Sequence, residues 1–385
     1  MSGSVAKPPR DYRLDFFRGL ALFLIFLDHI PDNPLAHATL KTFAFSDAAE
    51  VFILISGYTA ALVYGRAMER DGVVLASMRI WRRVWQLYVA HLLVFLLYSA
   101  QVAYAMSRVT NPLFVENLGL GEFLERPDIT LVRVLMLAFQ PAYLDILPLY
   151  IALLGVFPLF LLVLRRNAAV ALGLSAALYV AARVWEFNLP GNLDSDGWYF
   201  NPFAWQFLFM IAAAVGVRHA TGGPRGRMPV WLVAAAGAFA AFACVIQLSW
   251  TLHEVIPAVP ALLRRLLWPL DKSTLAPLRI FSVVALAILV ARFVPRDAGW
   301  LTGRLGWPVV LCGQNSLDVF CLGILLSVLG GILLTEFNFA PAAVVAVNLG
   351  GVAAMLGLAI GMAWYGAGGR IPPRPGIEAP PNGVA

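Results

Sequence analysis

Two basic side chains stand near the two ends of one apolar stretch, Arg18 to Pro31. Arg18 and His29 are eleven residues apart, which is close to three turns of an α-helix, so their side chains share one face. A permanent cation can hold phosphates. A neutral imidazole about 16 Å further along the axis can act as a general base near pH 7. The alternative is a histidine that is buried and hydrogen-bonded only for structure. Asp28 lies about 100° round the helix from His29, which points it elsewhere.

Two acids, Asp47 and Glu50, open the second apolar stretch and lie three residues apart, so they are neighbours on a helix. We expect them beside the point where the first helix exits. A carboxylate there could orient His29 and balance its charge as it takes a proton. Alternatively, both acids cap the helix N-terminus and complement its dipole. The residues alone leave both interpretations open.

Arginines gather between the second and third apolar stretches, at Arg66, Arg79, Arg82 and Arg83. Such a set is typical of cytoplasmic loops, where it determines topology. It is also what a nucleotide with several phosphates would require.

The loop at 186–202 mixes carboxylates with aromatic rings. Flat rings suit the C–H face of a sugar, and carboxylates accept its hydroxyl hydrogens. An aromatic belt at the membrane interface is the alternative. The residues concerned are Glu186, Asp194, Asp196, Trp198, Tyr199 and Trp205. Other polar groups interrupt apolar runs and are expected to face the interior or a wet cavity. They are Asp145, Asp271, Lys272, Arg279, Gln314, Asn315, Ser316 and Asp318.

The elements that must position these groups are membrane helices. The chain is 60% hydrophobic and only 13% charged, which identifies an integral membrane protein. Its net charge of +6 does not indicate nucleic-acid binding, because the basic residues lie in short clusters between apolar runs. Three cysteines, Cys244, Cys312 and Cys321, fall inside apolar stretches, so we expect free thiols without disulfide or metal roles.

The fold predicted is an all-α polytopic membrane protein of about ten transmembrane helices with both termini cytoplasmic. A cytoplasmic segment (1–14) precedes a single transmembrane domain (15–366), and a Pro-rich, disordered tail (367–385) follows. The first helix is expected to remain uncleaved. The segment 129–141 is too short to span. The predicted spans are 15–31, 46–65, 84–106, 143–164, 168–185, 203–218, 230–250, 277–294, 308–333 and 341–364.

Six segments between about Arg10 and Trp364 carry a family resemblance. The chain resembles the OpgC branch of a large family of membrane acyltransferases that modify glycans with acyl groups from coenzyme A. The Arg18-to-His29 spacing marks the wider family, and the six segments together are specific to the branch. They are RDYRLDFFRGLALFLIFLDHIP, DAAEVFILISGYTAALVYGR, QPAYLDILPLYI, NPFAWQFLFMIAA, DKSTLAPLRI and GQNSLDVFCLG.

This resemblance implies a succinyltransferase of the bacterial inner membrane. It would move a succinyl, or another small acyl, group from cytoplasmic acyl-CoA to hydroxyls of a periplasmic glucan, with no tightly bound cofactor and no metal. His29 matches the family's catalytic histidine, Arg18 its motif arginine, and Glu50 the position of an acid.

These expectations combine into a mechanism. His29, assisted by Glu50 or Asp47, activates the sugar hydroxyl. The phosphates of the donor bind Arg18, Arg82 and Arg83, and the glucan contacts Trp198, Tyr199, Trp205 and Asp145. Transfer is direct or passes through an acyl-histidine. A transporter or flippase is the rival function, but the charged motifs concentrate in helices one to three and show no inverted repeat.

Overall fold

The computed structural model describes residues 10–106, 118–192, 195–222, 228–251, 263, 267 and 270–370. Every regular element in these ranges is a helix, which confirms the predicted all-α class. Two short 3-10 helices, Pro34–Ala38 and Leu40–Thr42, connect the first two α-helices. The α-helices are α1 (Tyr12–His29), α2 (Ala48–Asp71), α3 (Val73–Met106), α4 (Gly121–Glu125), α5 (Pro127–Leu135), α6 (Ile146–Arg166), α7 (Ala168–Val184), α8 (Pro202–Ala220), α9 (Val230–Thr251), α10 (Pro277–Phe293), α11 (Gly299–Thr302), α12 (Gly306–Gln314), α13 (Ser316–Glu336) and α14 (Pro341–Gly366).

Seven of the described helices are long and apolar enough to cross a membrane, namely α2, α3, α6, α8, α9, α13 and α14. Three further predicted spans coincide with α1, α7 and α10. The short segment 129–141 contains most of α5, whose nine residues are too few to cross about 30 Å of hydrocarbon. Residues 1–9 and residues 371–385, which make up most of the predicted tail, lie outside the described part of the chain.

The prediction of one continuous span over 308–333 is wrong, because the helix breaks at Asn315. This residue has φ −105° and ψ 38° and separates α12 from α13. Its side-chain amide donates a hydrogen bond to the carbonyl oxygen of Leu311 at 2.9 Å. The backbone N–H of Asn315 donates to the same carbonyl oxygen at 3.0 Å. The side chain of Asn315 therefore adds a second hydrogen bond to the last turn of α12.

Close helix contacts fix α1 and α2, the two helices that carry most of the predicted chemistry. A Cβ atom at Gly19 of α1 would collide with the backbone of α12, and one at Gly313 of α12 would collide with the backbone of α1. Gly57 of α2 and Gly216 of α8 make the same kind of contact with each other's helices. Small residues allow backbones in a membrane to approach closely. Both helices are thus held by backbone-to-backbone packing.

Candidate active site

A cavity of about 610 Å³ opens at the C-terminal end of α1 and contains His29 in its wall. We call it the His29 cavity. Other parts of the wall come from the start of α2, the segment before α6, the loop before α8 and the segment before α10. Its polar and aromatic lining includes Asp28, His29, Lys41, Asp47, Gln140, Tyr143, Asp145, Asn188, Asn192, Asp196, Trp198, Tyr199 and Lys272.

The imidazole of His29 is held in one tautomer by the backbone of its own helix. Its Nδ1 lies 2.7 Å from the carbonyl oxygen of Ile25, one turn earlier in α1. A carbonyl only accepts hydrogen bonds, so Nδ1 carries the proton and Nε2 keeps its lone pair. Within the described part of the chain, Nε2 has no hydrogen-bond partner, and it is not among the buried polar atoms that lack one. His29 lines the cavity, and Nε2 is the ring nitrogen that the backbone of α1 does not engage.

Tyr143 packs directly against this imidazole. The two ring centroids are 4.6 Å apart with an interplanar angle of 69°, an edge-to-face contact. Tyr143 has φ +73°, a left-handed conformation that costs a non-glycine residue about 1–3 kcal/mol and that clusters at functional sites. The chain thus tolerates local backbone strain at the residue that covers one face of His29.

Asp28 lines the same cavity as His29, so the prediction that it faces elsewhere is wrong. Its Oδ1 accepts a hydrogen bond from Thr39 Oγ1 at 2.7 Å and lies 3.2 Å from the ammonium of Lys41. Both partners belong to the connection between α1 and α2, which folds back over the end of α1. Asp28 therefore ties this connection to the helix that presents His29.

Glu50 and Asp47 form the N-terminal capping box of α2. The side chain of Asp47 accepts from the backbone N–H of Ala49 at 2.8 Å, and Glu50 Oε2 accepts from the backbone N–H of Asp47 at 2.9 Å. These two hydrogen bonds are the ones expected if both acids cap the N-terminus of α2. Neither carboxylate is hydrogen-bonded to His29 among the residues described. Asp47 still lines the His29 cavity, whereas the side chain of Glu50 is 0% exposed.

Two cations neutralise the two acids. Arg279 of α10 donates to Glu50 Oε1 at 2.5 Å and to Asp47 Oδ2 at 3.2 Å, and the ammonium of Lys272 lies 2.7 Å from Asp47 Oδ2. Burial by itself lowers the pKa of Lys272, but the charges of Asp47 and Glu50 outweigh it and raise that pKa above its ordinary value. Lys272 is thus a permanently charged group in the cavity wall.

Three of the four residues predicted to contact a sugar line the His29 cavity, namely Asp145, Trp198 and Tyr199. Trp205 does not, and this prediction is corrected. Its side chain is 0% exposed, and its indole N–H donates to the carbonyl oxygens of Lys272 and Ser273 at 3.0 and 3.1 Å. Its position in an aromatic run is the reason for the predicted sugar contact. The structure instead shows that the ring supports the segment that carries Lys272. Asp194 lies outside the described residues.

Reciprocal hydrogen bonds join the two loops that roof the cavity. The backbone N–H of Gln140 donates to Asn192 Oδ1 at 2.9 Å, and Asn192 Nδ2 donates to the carbonyl oxygen of Gln140 at 3.2 Å. Arg133 of α5 donates to the carbonyl oxygen of Gly191 and pairs with Glu122 of α4 at 3.1 Å. The segment 129–141 therefore forms a wall of the cavity and holds the aromatic loop in place.

A second cavity, of about 200 Å³, contains Arg18, and we call it the Arg18 cavity. Arg18 Nη2 donates to Thr59 Oγ1 of α2 at 2.7 Å, which fixes the guanidinium. Arg83 lines the same cavity, whereas Arg82 is exposed and is not part of the lining. The structure thus brings two of the three predicted phosphate-binding arginines together. The remaining lining includes Phe52, Ser56, Tyr64, Ile146, Leu147, Tyr150, Ser316, Leu317 and Phe320.

Sequence reasoning missed Tyr143 and gave Lys272 no role. Tyr143 follows Pro141 and precedes Asp145 in QPAYLD, a turn-like context that was the available signal. Lys272 stands next to an acid in a polar run, and its partner Asp47 is more than two hundred residues away. Periodicity has no means of detecting such a pair.

Comparison with known proteins places this architecture in one family. No curated protein matches the chain, and no solved structure matches it. A family model described as OpgC protein matches residues 10–367. That range includes both cavities and every helix from α1 to α14. The chain therefore belongs to the OpgC family.

Proposed function

We propose that this protein is a membrane-bound O-acyltransferase that moves a succinyl or another small acyl group from acyl-CoA to a hydroxyl of a glucan. Membership of the OpgC family supports an acyltransferase role in glucan modification. The donor is proposed to enter from the cytoplasm at the Arg18 cavity, and the glucan from the periplasm at the His29 cavity. The membrane concerned is proposed to be the bacterial inner membrane.

One observation carries this proposal. Arg18 and His29 lie on the same helix, and each lines its own cavity, so α1 joins a cationic cavity to one that contains an imidazole. Guanidinium groups bind phosphates with directional hydrogen bonds. An imidazole whose Nε2 carries a lone pair can act as a general base. A donor that carries phosphates and an acceptor that carries hydroxyls need these two environments.

The chemistry assigned to His29 balances without a further reactant. The hydroxyl oxygen forms a bond to the thioester carbonyl carbon, and the carbon–sulfur bond breaks. Nε2 of His29 takes the hydroxyl proton and delivers it to the departing thiolate. The products are an ester and a free thiol, and His29 returns to its neutral form. Asp47 and Glu50 contribute indirectly in this scheme, by fixing the start of α2 and the position of Lys272.

The acceptor side is suited to a neutral, hydroxyl-rich molecule. Asp145 and Asp196 offer carboxylate oxygens to hydroxyl hydrogens, and the rings of Trp198 and Tyr199 offer apolar faces. The donor side combines Arg18 and Arg83 with Tyr64 and Tyr150. We propose that Arg18 and Arg83 bind donor phosphates.

The test is acyl transfer by the purified protein in lipid nanodiscs, with succinyl-CoA as donor and a glucan as acceptor. Mass spectrometry of the glucan reads the added group. We expect the wild-type protein and His37→Ala to acylate the glucan, because His37 is exposed and outside both cavities. We expect His29→Ala to accumulate normally and to transfer nothing. Retained transfer in His29→Ala would exclude the proposed base. Movement of glucan across vesicles without a change in its mass would favour a transporter instead.

A further inference from the structure

We propose that Phe320 and Ile146 form a septum between the Arg18 cavity and the His29 cavity, and that this septum limits the length of the acyl group that reaches His29. The inference rests on the proposed function, because it concerns the passage of the donor's acyl end from one cavity to the other.

The two side chains are shared by both cavities. Phe320 of α13 and Ile146, the first residue of α6, each belong to both linings. Yet Phe320 is only 3% exposed and Ile146 only 6% exposed. Groups that touch two cavities while remaining so fully covered must stand directly between them. At this point Phe320 and Ile146 form the layer that the two cavities share.

Residues close to this layer on α13 and α6 show which cavity lies next to each helix. On α13, Ser316 and Leu317 line the Arg18 cavity alone. On α6, Asp145 immediately before Ile146 lines the His29 cavity, and Tyr150 one turn later lines the Arg18 cavity. The boundary between the cavities therefore falls at Phe320 on α13 and at Ile146 on α6.

The same change from one cavity to the other occurs on α2. Ala49 lines the His29 cavity, and Phe52, less than one turn further along, lines the Arg18 cavity. Phe52 packs against Tyr150 with ring centroids 6.2 Å apart. On α2, as on α6, the residues therefore pass from the lining of the His29 cavity to that of the Arg18 cavity within about one turn, as a septum requires.

A transfer reaction imposes a requirement on this layer. The thioester carbon and the attacking hydroxyl must approach to about 3–3.5 Å before a bond can form. A donor held by Arg18 and Arg83 meets that condition only if its acyl end passes Phe320 and Ile146. Isoleucine is stiff at χ1, and phenylalanine has fewer restrictions, so Phe320 is the side chain expected to move. A narrow opening beside it admits a short acyl chain and hinders a long one.

Accessibility of an introduced thiol tests the septum without reference to catalysis. The reporter is Ser316→Cys in a background where Cys244, Cys312 and Cys321 are replaced by alanine. A membrane-impermeant thiol reagent is added to one face of oriented proteoliposomes at a time. With Phe320 and Ile146 in place, we expect reaction only from the face of the Arg18 cavity. With Phe320→Ala, we expect reaction from both faces. Ile146→Ala serves as a second opening variant.

Leu317→Ala is the matched control, because it removes a large apolar side chain from the Arg18 cavity alone. It should leave the thiol unreactive from the His29 side. The septum is excluded if the unmodified background already reacts from that side, or if neither opening variant reacts faster than Leu317→Ala. Reaction from the Arg18 side in each variant shows that the protein is folded.

Acyl-chain selectivity then tests the link to function. Thiol release is measured with acetyl-, succinyl- and octanoyl-CoA in the presence of glucan. We expect Phe320→Ala to raise the octanoyl-to-succinyl ratio of kcat/KM by about tenfold or more. The control for this ratio is Leu329→Ala, because Leu329 lies on α13 outside both linings and its replacement should leave the ratio unchanged. An unchanged ratio in Phe320→Ala, beside an active wild-type protein, overturns the selectivity role. No transfer by the wild-type protein, together with the expected thiol accessibility, overturns the proposed function and leaves the septum intact.

Discussion

Nδ1 of His29 is hydrogen-bonded to the carbonyl oxygen of Ile25 over 2.7 Å. The partner is a backbone group of the same helix, one turn earlier than His29. It fixes both the tautomer and the direction of the ring. In a Ser-His-Asp triad a carboxylate has this role, whereas here the backbone supplies the acceptor.

This relationship predicts the protonation pattern of His29. We expect 15N NMR of histidine-labelled protein to show a proton on Nδ1 and none on Nε2 at neutral pH, because only a donor can bond the Ile25 carbonyl. The His29→Gln variant assigns the signal, and His37→Gln is the matched control. A proton on Nε2 at neutral pH would exclude this nitrogen as the resting base.

Tyr143 is predicted to position the imidazole rather than to react. Its ring, not its hydroxyl, makes the described contact with His29. We expect Tyr143→Phe to keep most of the activity, and Tyr143→Ala to lower kcat with little effect on the KM for the donor. The measurement is steady-state kinetics at varied acyl-CoA concentration. A loss of activity in Tyr143→Phe equal to that in Tyr143→Ala would instead assign the role to the hydroxyl.

Glu50 and Arg279 are predicted to contribute to stability. Removing one partner of a buried pair leaves an uncompensated charge, which typically costs about 3–5 kcal/mol. We therefore expect Glu50→Gln to lower the thermal midpoint in nanodiscs, and the double variant Glu50→Gln, Arg279→Met to recover part of the loss. Thermal unfolding followed by intrinsic fluorescence provides the measurement. An unchanged midpoint together with abolished glucan acylation would show that Glu50 acts in catalysis.

Arg83 and Arg82 are adjacent in the chain but differ in their surroundings, and this difference is testable. Arg83 lines the Arg18 cavity, and Arg82 is exposed outside it. We expect Arg83→Ala to raise the acyl-CoA concentration needed for the half-maximal rate, and Arg82→Ala to change it little. The measurement is the initial rate of thiol release at varied acyl-CoA concentration for each variant. Equal effects of both substitutions would mean that phosphate binding extends beyond the described cavity.

The helical class and the shared face of Arg18 and His29 were predictable because both follow from local periodicity. Hydrophobic runs of sufficient length identify helices, and eleven residues correspond to three turns. The partners of Asp47 and Glu50 were not predictable, because Arg279 is 229 residues away from Glu50 in the chain. The positive φ of Tyr143 and the break at Asn315 also escaped detection, since neither residue is one that requires such a conformation.

Burial explains the remaining error at the site. Trp198, Tyr199 and Trp205 look alike in the sequence as rings in one aromatic run. Only the packing of Trp205 beneath the Lys272 segment separates a supporting ring from the two that line the cavity. The sequence identifies the three rings as one group, and only the tertiary structure shows which of them line the cavity.

The glycine contact between α1 and α12 has a consequence for biogenesis. α1 is synthesised before α12, and it is not among the seven described helices that are long and apolar enough to cross a membrane. The groups that receive it, Val309 and Gly313, are synthesised almost three hundred residues later. The helix that bears His29 can therefore reach its final position only after α12 has been synthesised, and a chain truncated before α12 would lack the backbone groups that receive α1.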